Sequence, residues 1–453
     1  MCLTSRMRVL IVGGGLGGLC LAQGLVKAGV QVTVFERDRT SSDRLDRYRL
    51  HVSPAGSRAL RACLTDIAWE SFLLGVGDAE GGFGFLTEQL RTLVIIDDDV
   101  MYPPSADAAE RAYPVDRLFL RETLLRGLDG IVQFGRQFNR YCQLPDGTVT
   151  AHFADGSSAT GDVLVGADGA YSAVRRQYRP GTDPVPTGAY GIGWTVPLDG
   201  ATGPPVPERL RAGLNMIMAP VPFFLFTSVF RRPEHDGQAG GAAFGQPGDY
   251  LLCALVARKE ACPPEIRTLS GPGLRETAVK MMKGWHPDLV GLASKAPAAA
   301  FGVYPFTVAP PVTDWPPSTV TLLGDAVHAM PPASGNGANM AFRDASLLHR
   351  NLANAARGSI PLLRAIGDYE REMRDYAFSA IRSSMTNERL GLNASPIAQC
   401  GMRAWFRICD AFPAAKRAGF GESWAKDARP RPWEVRCGGP RFTGGAGVTT
   451  LGL

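Results

Sequence analysis

The segment GGGLGG, at positions 13 to 18, has the glycine spacing of a turn that binds a nucleotide phosphate. In the pattern G-x-G-x-x-G, Gly13 would allow a tight turn, Gly15 close approach of the backbone to a pyrophosphate, and Gly18 close packing of helix on strand. The N-terminus of the following helix would offer N–H groups and about half a positive charge to the phosphates. The spacing therefore predicts a dinucleotide site.

The elements around this turn fit a βαβ unit. RVLIVGG has the pattern of a short buried strand, LCLAQGLVKAG has helical periodicity, and VQVTVFER is rich in β-branched residues. Glu36 closes the second strand, where its carboxylate could accept both ribose hydroxyls of an adenosine and would repel a 2′-phosphate. FAD and NAD both remain possible for this turn.

Two later segments carry further polar residues at strand ends. Asp168 and Gly169 follow the apolar strand DVLVGAD, and Asp325 follows TVTLLGD, where it could accept a hydroxyl of a ribityl chain. A turn of small residues then opens a helix, and its N–H groups could stabilise the negative charge on a reduced flavin ring. These small residues are Gly335, Gly337, Ala338 and Asn339.

Together, GGGLGG with FERD, GADGAYSAVR and LLGDAVHAMPPASGNGANMAFRDA resemble the group A FAD-dependent monooxygenases, the para-hydroxybenzoate-hydroxylase-like class. The similarity covers about residues 7 to 375. The segment MPP-x-x-G-x-G is also similar to the tetracycline-inactivating and natural-product-tailoring branch. One departure is Gly335-Asn336-Gly337 where the family often has Gly-Gln-Gly, a change that should leave the backbone donors intact.

The resemblance implies bound FAD, transient NADPH or NADH, and a flavin C4a-hydroperoxide that hydroxylates the substrate. No protein group is then required as a catalyst, although His51 and Pro332 are candidates beside the flavin, and His328 is expected to pack the loop. Arg121 would reach the flavin phosphates or ribityl chain, and Arg47 is favoured over Arg44 and Arg49 for the cofactor. The residues assigned to the cofactor are Gly13, Gly15, Gly18, Glu36, Arg37, Arg47, Arg121, Asp168, Gly169, Gly324, Asp325, Pro332, Gly335, Gly337, Ala338 and Asn339.

The fold class expected is α/β, with a Rossmann-like FAD-binding domain built on a parallel sheet. This domain is discontinuous, over 1–75, 102–175 and 301–375. A smaller substrate domain with a mixed β-sheet takes 76–101 and 176–300, and C-terminal helices with a loose tail take 376–453. The candidates for contact with a bulky, largely apolar aromatic or polyketide-like substrate are Met216, Met218, Phe224 and Phe226, although such a stripe is more often core.

Composition limits the other possibilities. The 453 residues are 45% apolar and 20% charged with a net charge of +5, and no basic block of the kind used on nucleic acid occurs. Nine cysteines without a CxxC pair indicate a reducing, cytoplasmic setting and no metal site. The sequence has no long uncharged apolar span, so we expect no stable membrane insertion. We expect a monomer or homodimer whose partners are an organic small molecule and O2.

Three alternatives stay open at this point. Epoxidation and Baeyer–Villiger insertion can both occur on the scaffold that hydroxylates, because fold does not determine chemistry. A non-catalytic protein that sequesters flavin or another ligand would keep the same glycine turns. The sequence does not decide between NADH and NADPH.

Overall fold

The computed structural model describes residues 7–40, 48–77, 81–200, 203–232, 248–311 and 314–421. Arg44 and Arg47, and the tail after 421, lie outside the described residues. The strands are β1 (Arg8–Val12), β2 (Gln31–Phe35), β3 (Arg49–Val52), β4 (Phe83–Thr87), β5 (Thr92–Ile96), β6 (Tyr113–Asp116), β7 (Val132–Gln133), β8 (Phe138–Gln143), β9 (Val149–Phe153), β10 (Ser158–Gly161), β11 (Val163–Gly166), β12 (Val185–Pro197), β13 (Leu214–Met218), β14 (Phe223–Phe230), β15 (Tyr250–Arg258), β16 (Gly302–Val308) and β17 (Val320–Leu322).

The helices complete the chain. They are α1 (Leu16–Lys27), α2 (Pro54–Cys63), α3 (Asp66–Leu73), α4 (Asp98–Met101), α5 (Arg117–Leu125), α6 (Ala173–Tyr178), α7 (Gly271–Met281), α8 (Pro287–Ser294), α9 (Asp325–His328), α10 (Gly337–Ala356), α11 (Leu362–Gly391), α12 (Pro396–Ala411) and α13 (Pro413–Lys416). No helix among the described ranges is long and apolar enough to cross a membrane.

A five-stranded parallel sheet positions the predicted cofactor residues. Its strand order is β17-β11-β1-β2-β7, and Val9, Ile11, Val34 and Val165 in it are fully buried, as expected for a parallel sheet covered on both faces. The carboxyl ends of parallel strands meet at one edge, where α/β proteins bind ligands. The GGGLGG turn, Glu36, Asp168 and Asp325 all follow strands at this edge.

A second, seven-stranded sheet has the order β16-β12-β15-β14-β13-β4-β5. It is mixed, because β13 pairs with β4 in parallel while its other pairs are antiparallel. It includes β16, which begins at Gly302, so the sheet extends past residue 300, where we placed the end of the substrate segment. The division into domains itself stays a prediction.

The two faces of this sheet have different neighbours. On one face, Ile192, Trp194 and Leu255 pack against α7 and α8 in one hydrophobic cluster, and the Trp194 Nε1–H donates to the Leu292 carbonyl over 3.0 Å. The other face, called the inner face below, carries Met216, Met218, Phe224 and Phe226 and meets the end of α11 and α12. The parallel sheet, the mixed sheet and the C-terminal helices confirm the predicted fold class.

Candidate cofactor and substrate site

The GGGLGG turn is closed at two of its glycines and open at the third. A β-carbon on Gly13, whose φ is +111°, would lie 2.3 Å from the Ala167 carbonyl oxygen, and one on Gly18 would lie 2.2 Å from the Gly13 oxygen. A β-carbon on Gly15 would meet no atom within 4 Å. Gly13 and Gly18 are therefore required by packing, whereas Gly15 leaves room beside the N-terminus of α1 that a pyrophosphate fits.

Glu36 supports this turn from the end of β2. Its carboxylate is buried and accepts hydrogen bonds from the Gly14 N–H (2.6 Å) and the Asp38 N–H (3.0 Å). The acidic group therefore lies directly beside the glycine turn, which is compatible with the ribose role predicted for it. Its neighbour Arg37 is exposed.

A second turn, residues 324–339, connects β17 to α10. It brings Asp325 close to the N-terminal residues of α10. Gly324 has a φ of +64°, which favours glycine, and a β-carbon on Gly337 would lie 3.9 Å from the Asp325 Oδ1. Asp325 is exposed as a residue, although protein atoms surround its carboxyl group. This enclosure and the nearby Asp344 raise the pKa of Asp325, whereas His328 acts to lower it.

A fully buried carboxylate, Asp344 on α10, holds the second turn in place. It accepts hydrogen bonds from the Gly324 N–H (2.8 Å), from His328 Nε2 (2.6 Å) and from the Tyr376 hydroxyl (2.5 Å). Both ends of α9 and one residue of α11 thus donate to the same acidic side chain of α10. The Arg343 guanidinium, also buried, lies 4.0 Å from the centre of the Tyr376 ring.

His328 forms a buried ion pair within this cluster. Burial by itself would lower its pKa, but the adjacent Asp344 carboxylate, helped by Asp325, raises it above the ordinary value. The imidazole is fully buried and its proton is held against Asp344. His328 therefore fixes the loop, in agreement with the packing role expected from the sequence.

Asn339 ties α10 to strand β3. Its Oδ1 accepts from the Ser53 N–H (2.9 Å) and its Nδ2 donates to the His51 carbonyl (2.8 Å). The side chain is consequently used for packing, which leaves only its backbone for a flavin. Of the other residues assigned to this loop, Pro332 and Gly335 are exposed, and Gly337 and Ala338 are half-buried.

His51 lies beside the contact between Asn339 and β3, and its protonation state differs from that of His328. Its Nε2 is 2.9 Å from the Tyr102 hydroxyl, and the two rings are stacked with centroids 5.5 Å apart. Burial and the nearby Arg49 charge lower the pKa of His51 to about 3. The imidazole is therefore neutral at physiological pH.

Asp168 uses its carboxylate within the protein. It accepts hydrogen bonds from the Ser172 hydroxyl (2.5 Å) and from the N–H groups of Ala173 (2.7 Å) and Val174 (3.3 Å), so it caps α6. Gly169 has a φ of +80° with open space beside it. Arg121 is buried on α5. Their cofactor contacts stay predictions.

The four predicted substrate residues share the inner face but differ in exposure. Met218 is buried in a cluster with Phe406 and Cys409 of α12, and Phe224 is buried beside Leu392. Met216 and Phe226 are only half-buried. The first pair therefore belongs to the core, and the second pair keeps surface that a ligand could contact.

Sequence reasoning did not single out Asp344 and Tyr376 as a network. One signal was present, because Asp344 falls at helical spacing between Met340 and Leu348, on the face of α10 that is buried. A carboxylate on an apolar helical face is rarely buried without a partner. Tyr376 gave no comparable signal.

Comparison with known proteins identifies the family. A family model for an FAD binding domain matches residues 6–51 and 298–384. A solved structure from Photorhabdus luminescens subsp. laumondii, described as an FAD-containing monooxygenase, is 33% identical with a TM-score of 0.76, over 85% of this chain and 98% of that one. This chain belongs to the FAD-dependent monooxygenases. The prediction of this family, and of FAD as its cofactor, is confirmed.

Two curated relatives extend the comparison. The dual O-methyltransferase/FAD-dependent monooxygenase elcB of Phaeosphaeria nodorum is 30% identical over 430 residues, which are 84% of this chain and 45% of that protein. The chloroplastic zeaxanthin epoxidase of Oryza sativa subsp. japonica is 30% identical over 389 residues, 82% of this chain and 53% of that protein. The chain thus spans about half the length of these relatives.

Proposed function

We propose that this protein uses NAD(P)H and O2 to hydroxylate a bulky, largely apolar aromatic or polyketide-like molecule. FAD, bound along the carboxyl edge of the parallel sheet and reduced by NAD(P)H, would supply the activated oxygen. The protein's own residues bind and orient the two molecules and exclude water.

The observation that carries this proposal is the course of α11. Near residue 384 this helix holds the second turn, because the Ser384 hydroxyl donates to the Pro331 carbonyl (2.6 Å). Its last residue, Gly391, lies against the inner face, where a β-carbon would come within 2.8 Å of Phe224 and 3.0 Å of Met216. Seven residues of helix span about 10 Å. An apolar surface therefore lies within reach of the loop assigned to the flavin ring.

The positions of the proposed cofactor residues are compatible with the parts of an FAD molecule. The open space at Gly15 would take the pyrophosphate, with Glu36 beside the adenosine ribose. Asp325 would accept a hydroxyl of the ribityl chain, and the first turn of α10 would present N–H groups to the pyrimidine end of the ring. These assignments for Gly15, Glu36, Asp325 and α10 are part of the proposal.

The first experiment records the visible spectrum of the purified protein and follows NADPH and NADH oxidation in air with polyphenols, quinones and tetracyclines. Bound FAD, oxidation stimulated by one member of the panel and a product with one added oxygen atom are the expected results. A yellow protein that oxidises neither nucleotide under any of these conditions would instead indicate a flavin- or ligand-sequestering protein.

A matched pair of variants tests the inner face. Phe226→Leu changes the half-buried ring and should alter the KM for the substrate several-fold without changing FAD content. Phe224→Leu, two residues away on the same face, changes a ring already packed against Leu392 and should leave KM nearly unchanged. Equal effects of the two substitutions would contradict the placement of the substrate.

Epoxidation is the second candidate, and the similarity to zeaxanthin epoxidase favours it. A substrate bound at the inner face could equally receive the oxygen at a carbon–carbon double bond. Including an apolar cyclic alkene in the panel separates the two reactions, since an epoxide and a hydroxylated product differ in structure although each gains one oxygen atom.

A further inference from the structure

Arg49 holds a positive charge at the junction between the two sheets. Strand β3 pairs with β6 so that Arg49 lies opposite Asp116 and His51 opposite Pro114. Val52 is fully buried in the core of the parallel-sheet region, and Leu50 packs against the same core. Because side chains alternate along a strand, Arg49 and His51 project to the other side, toward the seven-stranded sheet.

The seven-stranded sheet meets this side through its strands β14 and β15. The Tyr250 hydroxyl donates to Asp116 Oδ2 over 3.2 Å, and the Tyr250 ring stacks on Phe230 with centroids 5.4 Å apart. Phe230 lies on the same face of β14 as Phe224 and Phe226, at even spacing. The inner face therefore runs from an apolar end at Phe224 to a polar end beside Arg49.

The Arg49 guanidinium has no ionic partner there. Within the part of the chain that the structure describes, it makes no ion pair, and its buried Nε has no hydrogen-bond acceptor. Burial lowers the pKa of Arg49 to about 10, and Tyr250, Asp98 and Tyr102 only partly oppose this. Arg49 is half-buried, and a partly desolvated cation whose Nε lacks an acceptor is unfavourable, so a ligand that supplies a negative oxygen would gain binding energy.

The other polar groups at this end suit the same ligand. His51 is neutral, so it adds no second charge, and its Nε2 and the Tyr102 hydroxyl are 2.9 Å apart. Ser228, on the same face of β14 as Phe226, has a buried hydroxyl that finds no hydrogen-bond partner among the described residues. A planar guanidinium with several N–H donors matches a carboxylate or an aromatic oxyanion better than a lysine would.

We propose that Arg49 determines substrate specificity by binding an anionic oxygen of the substrate, a phenolate, enolate or carboxylate, at the polar end of the inner face. This inference rests on the proposed function, because it assigns the inner face to the substrate. It adds the chemical class of the substrate: a large apolar body with one acidic oxygen.

Calorimetric titration of the FAD-loaded protein tests this with two pairs of probes, each a charged and a neutral molecule of similar size. The carboxylate pair is 2-naphthoate and 2-naphthamide, and the phenolate pair is ionised 1-nitro-2-naphthol and its methyl ether. The wild type should bind the charged member of at least one pair about ten- to a hundredfold more tightly than the neutral member. The pair that shows the preference identifies the source of the anionic oxygen.

Variants then locate this preference. Arg49→Met should abolish it, and Arg49→Lys should keep part of it as a point charge. The control is Arg91→Met, which removes an exposed cation from the β4–β5 turn of the same sheet and should keep the full preference. Thermal unfolding shows that each variant is folded.

Three results would overturn the inference: no charge preference in the wild type, a preference that survives in Arg49→Met, or a loss of FAD affinity in that variant equal to the loss of probe affinity. The last result would make Arg49 a cofactor residue. Failure of the proposed function looks different, since the charge preference would then depend on Arg49 while no NAD(P)H is oxidised.

Discussion

The two turns assigned to the cofactor are shaped by different means. The turn at residues 13–18 is defined by backbone packed on backbone, with Gly13 and Gly18 in contact with carbonyl oxygens. The turn at 324–339 is held by buried side chains, namely Asp344, His328 and Asn339. The contact of Gly18 with Gly13 is encoded within a few residues of sequence, whereas the contact of Gly13 with Ala167 and the side-chain contacts of the second turn depend on groups brought together by folding.

Gly15→Val separates cofactor binding from folding in the first turn. The valine side chain would occupy the open space beside α1, so we expect FAD binding to be lost altogether while the melting temperature of the apoprotein changes little. Absorbance at the flavin bands after purification measures the loss. Gly291→Val on α8, another glycine with open space, is the control and should purify yellow. Unchanged FAD affinity in Gly15→Val would contradict the role of this turn.

Asp344→Ala should show that the second turn is held by a buried charge. The substitution leaves His328 and Tyr376 without their acceptor, and breaking a buried pair in this way typically lowers the free energy of unfolding by about 3–5 kcal/mol. Urea unfolding measures it. Asp344→Asn keeps the shape of the side chain but not its charge, and it should lower the free energy of unfolding by less than Asp344→Ala does. Wild-type stability in both variants would mean that the network is dispensable.

Asp325→Ala removes the exposed carboxylate of the second turn and leaves the hydrogen bonds to Asp344 in place. A charge-assisted hydrogen bond contributes roughly 1.5–3 kcal/mol, so FAD affinity should fall about ten- to a hundredfold while unfolding stability changes little. The FAD affinity of Asp325→Asn should lie between those of Asp325→Ala and the wild type. A variant that retains FAD as well as the wild type would remove Asp325 from the cofactor site.

Substitutions of His328 and His51 should give the smallest effects, with opposite dependence on pH. The folded-state pKa of His328 is raised, so its stabilisation is complete below pH 6.5 and is lost as pH rises through that higher pKa. The folded-state pKa of His51 is lowered from 6.5 to about 3, so stability is lost as pH falls through this window. Melting temperatures of His328→Gln and His51→Gln against wild type measure both trends. Parallel trends would contradict the assigned charge states.

The sequence predicted the first turn well because its determinants are local. Three glycines, a strand on each side and Glu36 all fall within 30 residues, and the structure brings them together as expected. The fold class followed from the same periodicities and from the family resemblance. The placement of Asp325 at a strand end was equally local.

Other features depend on contacts that no local pattern encodes. Asp344 accepts a hydrogen bond from Tyr376 on the next helix, 32 residues away. Whether Met218 and Phe224 are core or cavity depends on where α12 and the end of α11 lie. Arg49 was passed over for Arg47, because its direction follows from the pairing of β3 with β6, which the sequence of β3 does not show.

The hydrogen bond from Ser53 to Asn339 joins residues 286 positions apart in the chain. During synthesis the N-terminal βαβ unit is therefore made long before α10, the helix that we propose as part of the cofactor site. After Ser53 has been added, a ribosome that adds about 5–20 residues per second needs at least about 14 s to reach Asn339. If α10 forms part of the FAD pocket as proposed, the nascent chain has no complete pocket until then, and cofactor loading is a late event in the biogenesis of this protein.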